Sequence, residues 1–177
     1  MIHVAGEAET NMRSAPADLL IRRAARADLD HLLRIEERAF AIDRIPRRGF
    51  RRFLASSSSL LLVAVRERTL VGYALVLFRA NARVARLYSI ATAPEASRRG
   101  IGGALLAAAE KAAVARKRTV LRLEVHEKNA AAIAHYRKAG YAMFGRHSDY
   151  YADRGDALRF EKRLTPHAPG RLPNRSP

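Results

Sequence analysis

Residues 87–105, LYSIATAPEASRRGIGGAL, decide how the rest of the chain is read. An apolar run leads into a Pro-containing loop, and the loop into Arg98-Arg99-Gly100-Ile101-Gly102-Gly103, which opens an Ala/Leu-rich helix expected over residues 100–116. Three glycines within four residues let backbone come close to a ligand, and the free amides at a helix start point at whatever sits there. Two arginines just ahead of the first glycine add fixed positive charge and donors suited to pyrophosphate. A glycine-rich cap with solvated arginines is the structural alternative. The stretch predicts a phosphate site made by Arg98, Arg99, Gly100, Ile101, Gly102 and Gly103.

Two well-known phosphate motifs fail against these letters. A P-loop needs a Lys after its last glycine, and none follows here. A dinucleotide fingerprint needs a third glycine at position 105, where this chain has Leu, although Glu124 on the next strand mimics its ribose-binding acid. Only 53 residues follow Glu124, too few for the rest of a doubly wound sheet.

A third pattern fits. Ser97-Arg98-Arg99-Gly100-Ile101-Gly102 resembles the coenzyme-A loop [QR]-x-x-G-x-[GA] of the GNAT acyltransferase superfamily, with Ser97 at the Gln/Arg position. Residues 121–141, LRLEVHEKNAAAIAHYRKAGY, resemble the L-E-V-x-x-x-N-x-x-A-I-x-x-Y-x-x-x-G-[FY] hallmark of the ribosomal-protein alanine N-acetyltransferase branch. The segment DYYADRGDALRFEKRL, residues 149–164, is similar to the Tyr-pair segment of that branch. The resemblance spans residues 21–164. It implies a single-domain α/β (α+β) fold with a mixed, splayed β-sheet flanked by helices, and pantetheine held in the gap between the strand before the phosphate loop and the strand carrying Glu124. Ile90, Ala91 and Thr92 would offer backbone groups to pantetheine and the thioester oxygen.

Composition narrows the classes. With 177 residues, 49% hydrophobic and 28% charged, the chain has the size of one soluble globular domain with a real core. Aromatic residues make up 7% and Trp is absent, so the core must rest on Leu, Ala, Val and Ile. No Cys occurs, which removes disulfides, thiolate metal sites and a Cys acyl-enzyme. The six His show no ligand spacing, and no metal is expected. The 33 basic residues, 28 of them Arg, against 17 acidic ones give +16, which keeps nucleic acid open as a partner. The arginines are scattered instead of forming one stripe or tail, and no nucleic-acid motif accompanies them.

Along the chain, residues 1–18 are polar and aperiodic, lack the apolar stretch of a signal peptide, and read as a disordered leader. The folded domain is expected over 19–165, with elements in the order βααβββαβαββ, and a Pro/Arg tail over 166–177. Asp28 is expected to open a helix over residues 27–40, and a second, very basic helix follows over 47–55 with Phe50, Phe53 and Leu54 on one face. The family places these two helices beside the acceptor groove. Ser56–Ser59 reads as a surface loop, residues 67–69 as a hairpin turn, and Gly72 as a bulge. The helix after the phosphate loop is expected to turn Ile101, Leu105, Ala108, Ala109 and Ala112 inward, and Asn129 to cap the helix that carries Tyr136.

Acyl transfer from a thioester to an amine needs a neutral amine, a polarised carbonyl and a proton for the departing thiolate. The resemblance puts the base at Glu124, acting through a water, and the acid at Tyr136, and lets Asn129 touch the cofactor. A Tyr with pKa near ~10 protonates a thiolate whose conjugate acid lies near ~8.5 only with help from the site, so Tyr136 can equally stabilise the thiolate. The expectation is an acetyl-CoA-dependent, cytoplasmic N-acetyltransferase without membrane attachment, transferring directly to a peptide or protein N-terminal α-amine, a ribosomal protein among the candidates. A small-molecule amine acetyltransferase and a non-catalytic basic module binding nucleic acid or the ribosome are the alternatives.

Overall fold

The computed structural model describes residues 3–4, 18–96 and 100–165. In chain order the elements are β1 (His3–Val4), β2 (Leu19–Arg23), a 3-10 turn (Arg26–Asp28), α1 (Leu29–Ala39), α2 (Arg47–Ala55), β3 (Ser59–Arg66), β4 (Thr69–Phe78) and β5 (Val84–Thr92). A second 3-10 turn (Pro94–Ala96) precedes α3 (Ile101–Ala115), β6 (Val120–His126), α4 (Ala130–Lys138), β7 (Ala142–His147) and β8 (Ala157–Arg163). The sheet runs β2-β3-β4-β5-β6-β8-β7, and β1 pairs with β5 off that path. The β5–β6 and β1–β5 pairs are parallel and all others antiparallel. This is the mixed, helix-flanked sheet that the sequence implied.

Local chemistry accounts for most of these elements. Glu67 and Arg68 make the two-residue β3–β4 turn at φ 48° and 64°, the positive values that match the twist of a tight hairpin. Ala64 pairs with Gly72 while Val65 pairs with Leu70, so Val71 is the extra residue of a bulge beside the expected Gly72. A Cβ on Gly72 would lie 2.9 Å from the Ala91 carbonyl oxygen and 3.1 Å from Leu105 Cδ1. The missing side chain lets α3 close onto the sheet at this point. On the other face, Leu32 and Ile35 of α1 and Phe50 and Phe53 of α2 are buried, with Phe50 edge-on to Tyr73 at 5.6 Å.

Three expectations are corrected. Asp28 does not bond the amides of α1; its carboxylate accepts from Ala25 N–H at 2.7 Å and from both Arg22 Nη atoms at 2.7 and 2.9 Å, closing the 3-10 turn ahead of the helix. In α3 the buried set is Ile101, Leu105, Leu106, Ala109 and Ala113, while Ala108 and Ala112 are half-buried. The buried face is thus rotated by about one residue. Ser59 is no surface residue: it starts β3, is buried, and donates its hydroxyl to the Phe53 carbonyl at 2.7 Å. Within residues 1–18 the described His3–Val4 pair with Ser89 and Ile90, and Asp18 accepts from Arg66 Nε at 2.6 Å. The pairing has a cause in β5, which has lost β6 as a neighbour there and offers an open strand edge to any extended segment. The rest of that segment, and 166–177, lie outside the described residues. No described helix is long and apolar enough to cross a membrane.

Candidate active site

β5 pairs with β6 only through Val84–Val120, Ala85–Leu121 and Arg86–Arg122. Leu75 then pairs with Ser89 while Val76 pairs with Leu87, which makes Tyr88 an extra residue in β5. Such a bulge bends its strand. β6 instead stays paired with β8 along its whole length. The two strands separate after Arg86, and the backbone of Ile90, Ala91 and Thr92 faces the gap without a β6 partner.

The gap ends at the start of α3. Gly100 caps that helix at φ 73°, in the left-handed region where a side chain is strained. Among the described residues a Cβ on Gly100 or Gly102 would meet nothing within 4 Å, so they leave open space beside the first turn. The first amides of a helix have no intrahelical acceptor, and the helix dipole adds positive potential there. Gly103 faces α4, where its added Cβ would lie 3.7 Å from His135 Cε1. Open space, left-handed glycine and helix-start amides fit a pyrophosphate, and the β5 edge that β6 leaves, covered by β1 only at Ser89 and Ile90, fits an extended amide-bearing stem. Ser97, Arg98 and Arg99 lie outside the described residues.

Glu124 sits in the middle of β6, opposite Arg159 of β8, and is 5% exposed. It accepts from Arg86 Nε at 3.1 Å and lies 3.9 Å from Arg159 Nε. Arg86 Nη2 also donates to the Tyr150 hydroxyl at 2.9 Å. The carboxylate is therefore buried within the strand, hydrogen-bonded by Arg86 and with Arg159 at ion-pair distance. Arg86 and Arg159 were not legible as site residues, because an arginine alternating with apolar neighbours looks like the wet face of any strand.

Tyr136 lies on the opposite face of the same strands. Residue pairs Leu123–Phe160 and Glu124–Arg159 are successive in register, so their side chains point to opposite sides. Tyr136 is 1% exposed and packs its ring 6.5 Å from Phe160 and 5.6 Å from Tyr141. Burial, with a smaller contribution from Tyr151, pushes its hydroxyl well above the ordinary tyrosine range and keeps it protonated at neutral pH. Asn129 caps α4 through a 3.0 Å bond from Ala132 N–H. Tyr151 is the shared neighbour of the two sides: burial first, then Tyr150 and Glu124, raise its own pKa. Its hydroxyl is buried and has no hydrogen-bond partner among the described residues.

A buried chain that the sequence did not reveal leads to the same gap. Glu36 of α1, 1% exposed, accepts from Ile45 N–H at 2.6 Å and from the Tyr73 hydroxyl, which is 2.8 Å from Ser89 Oγ. Burial raises the Glu36 carboxyl above its ordinary range. The only signal in the letters was a carboxylate at a core-facing helical position.

Residues 27–141, more than half of the chain, match the Acetyltransferase (GNAT) family. The chain belongs to this family. The family and the structural neighbours make it an N-acetyltransferase, and GNAT enzymes take their acetyl group from acetyl-CoA. Among solved structures, the ribosomal-protein-S18-alanine N-acetyltransferase from Escherichia coli superposes with TM-score 0.76 at 26% identity, over 87% of this chain and 99% of that one. The ribosomal-protein-alanine N-acetyltransferase from Brucella melitensis gives 0.72 at 32%, over 82% and 99%. Ard1 from Thermoplasma volcanium gives 0.77 at 22%, over 85% and 100%, a likeness of fold. No curated protein sequence matches the chain.

Proposed function

We propose that this GNAT enzyme moves an acetyl group from acetyl-CoA to the N-terminal α-amine of a peptide or protein, by direct transfer in a ternary complex. The observation that carries the reading is the splayed β5–β6 gap, with the Gly100–Gly103 helix start at one end and the buried Glu124 carboxylate on the face away from α3. The neighbours at 26% and 32% identity act on ribosomal-protein alanine, which supports a protein acceptor and, as the finer form, a ribosomal one. A cytoplasmic site of action, where such N-termini are exposed, belongs to the same reading.

Arg98 and Arg99 with the amides of Gly100, Ile101, Gly102 and Gly103 would hold the pyrophosphate. Ile90, Ala91 and Thr92 would hold the pantetheine, with Asn129 beside it; β1, on the same edge, would give way. Acetyl-CoA, when bound, supplies the activated thioester. Glu124 takes the proton of the acceptor ammonium through a water, and Arg86 fixes the direction of its carboxylate while Arg159 adds positive charge beside it. Tyr136 Oη, protonated because it is buried, donates toward the leaving sulfur from the other face. An α-amine has a pKa of about 7.7–8.0 against about 10.4 for Lys, so one carboxylate acting through water suffices at neutral pH.

Release of thiol from acetyl-CoA tests this with two peptides, one with a free N-terminus and no Lys, the other with a blocked N-terminus and an internal Lys. Transfer to the first alone is expected. Transfer to the second alone, or only to small polyamines, removes the α-amine acceptor.

A further inference from the structure

On the face of the sheet away from α3, a cavity of about 590 Å³ opens between the end of α2, the 56–59 turn, the β4–β5 connection and the strands β6 and β8. Its charged lining is lopsided: Arg52, Arg79, Arg86, Arg122 and Arg159 against the single carboxylate of Glu124. Glu124 is shared by Arg86 and Arg159, and Arg122 pairs with Glu161 at 2.8 Å. Among the described residues no carboxylate lies within ion-pair distance of Arg52 or Arg79. Five guanidiniums therefore line a concavity with one carboxylate, Glu161 offsetting Arg122 from outside the lining, and the walls also include Phe53 and Phe78. Low-dielectric walls strengthen the repulsion among like charges and focus their field on whatever enters.

We propose that this pocket selects acceptors whose residues just after the reactive amine carry carboxylates, Glu124 meeting the amine and the arginines meeting the acidic side chains. The proposal rests on the α-amine reading above and names the substrate class for that site. An acidic peptide suits the pocket better than nucleic acid does. The cavity has the volume of a site for a compact ligand of a few residues, well short of a duplex. Arginine forks match planar carboxylates in two-point contacts, which gives the selection a geometric as well as an electrostatic component.

The test uses the full chain, acetyl-CoA and three peptides of equal length that begin with a free Ala, lack Lys, and carry Glu, Gln or Arg at positions two to four. The Glu peptide is expected to exceed the Gln peptide by about tenfold or more in kcat/KM, with the Arg peptide lowest and the advantage shrinking as salt rises. In Arg52→Gln with Arg79→Gln the advantage should fall to about twofold or less. Equal rates on all three peptides, or a preference for Arg, overturn the proposal.

Absence of transfer to any peptide would count against the α-amine reading instead, so binding is measured separately. Fluorescence anisotropy with N-acetylated copies of the Glu and Gln peptides reads the pocket without turnover. Binding of the Glu copy that is lost in the double variant supports the pocket assignment even then, and equal or absent binding of both copies overturns it. Displacement of the Glu copy by a single-stranded oligonucleotide at lower concentration than by free Glu peptide would also overturn it, in favour of a nucleic-acid surface.

Discussion

On the α3 side of the sheet the candidate site is made of backbone: a left-handed Gly100, open space at Gly102 among the described residues, the amides of a helix start and a strand edge that β6 leaves. On the α2 side it is made of side chains: Glu124 held by Arg86 and Arg159, with Arg52, Arg79 and Arg122 around it. The backbone half suits a ligand shared by a whole family, because main-chain geometry recognises phosphate and amide groups whatever the local sequence. The side-chain half can be re-tuned residue by residue, and it is where the acceptor would be chosen. If this division holds, substitutions on the α2 face change turnover and acceptor preference, and substitutions at the helix start change cofactor affinity.

The largest separation should come from Glu124→Gln, which keeps the side chain's size and removes its ability to take a proton. Turnover at pH 7 should fall about 10²-fold or more, and the loss should shrink as pH rises and neutral amine accumulates. A variant with wild-type turnover at pH 7 would take Glu124 out of the mechanism and leave it as the anchor of Arg86. Tyr136→Phe keeps the packed ring against Phe160 and Tyr141 and removes the hydroxyl. A loss of about 10²-fold in turnover with unchanged coenzyme-A affinity is expected, at the low end of general acid catalysis. Collapse of cofactor binding in that variant would make Tyr136 structural.

The smallest effect lies away from both halves and provides their control. Hydrogen bonding from Arg22 is the main cause that holds the Asp28 carboxyl below its ordinary value of 3.8 in the folded chain. Between the two values the unfolded chain carries the extra proton, so stability rises with pH there, is complete above about pH 4, and is lost as pH falls through the folded value. Asp28→Asn should lower the melting temperature at pH 7 and flatten its fall below about pH 4, with turnover on folded protein unchanged. An unaltered acid limb in thermal melts would show that the Arg22–Asp28 pair contributes nothing measurable.

The backbone half was legible because it is contiguous. Residues 97–103 and 121–141 carry their spacing in one dimension, and packing alone seldom demands glycines at such fixed offsets. The element order βααβββαβαββ followed from hydrophobic periodicity along the chain. The α2-facing half was not legible, since Arg52, Arg86 and Arg159 come from α2, β5 and β8 and meet only through strand register. In a chain with 28 arginines none of them stands out by type. Glu36, Tyr73 and Ser89 were hidden for the opposite reason: each sits within an apolar segment, and only the fold brings their oxygens into one chain. β1 could not be foreseen either, because its pairing depends on an open edge created by the bulge at Tyr88.

Calorimetric titration of coenzyme A into three proteins, the wild type, Gly100→Val and Glu124→Gln, tests the division most directly. A valine at φ 73° is strained and fills the space beside the first turn, so affinity should drop about tenfold or more in Gly100→Val. Glu124→Gln should bind coenzyme A within about twofold of the wild type, since its contacts are with arginines and not with the cradle. Wild-type affinity in Gly100→Val, or lost affinity in Glu124→Gln, would contradict the separation of a backbone-built cofactor half from a side-chain-built acceptor half.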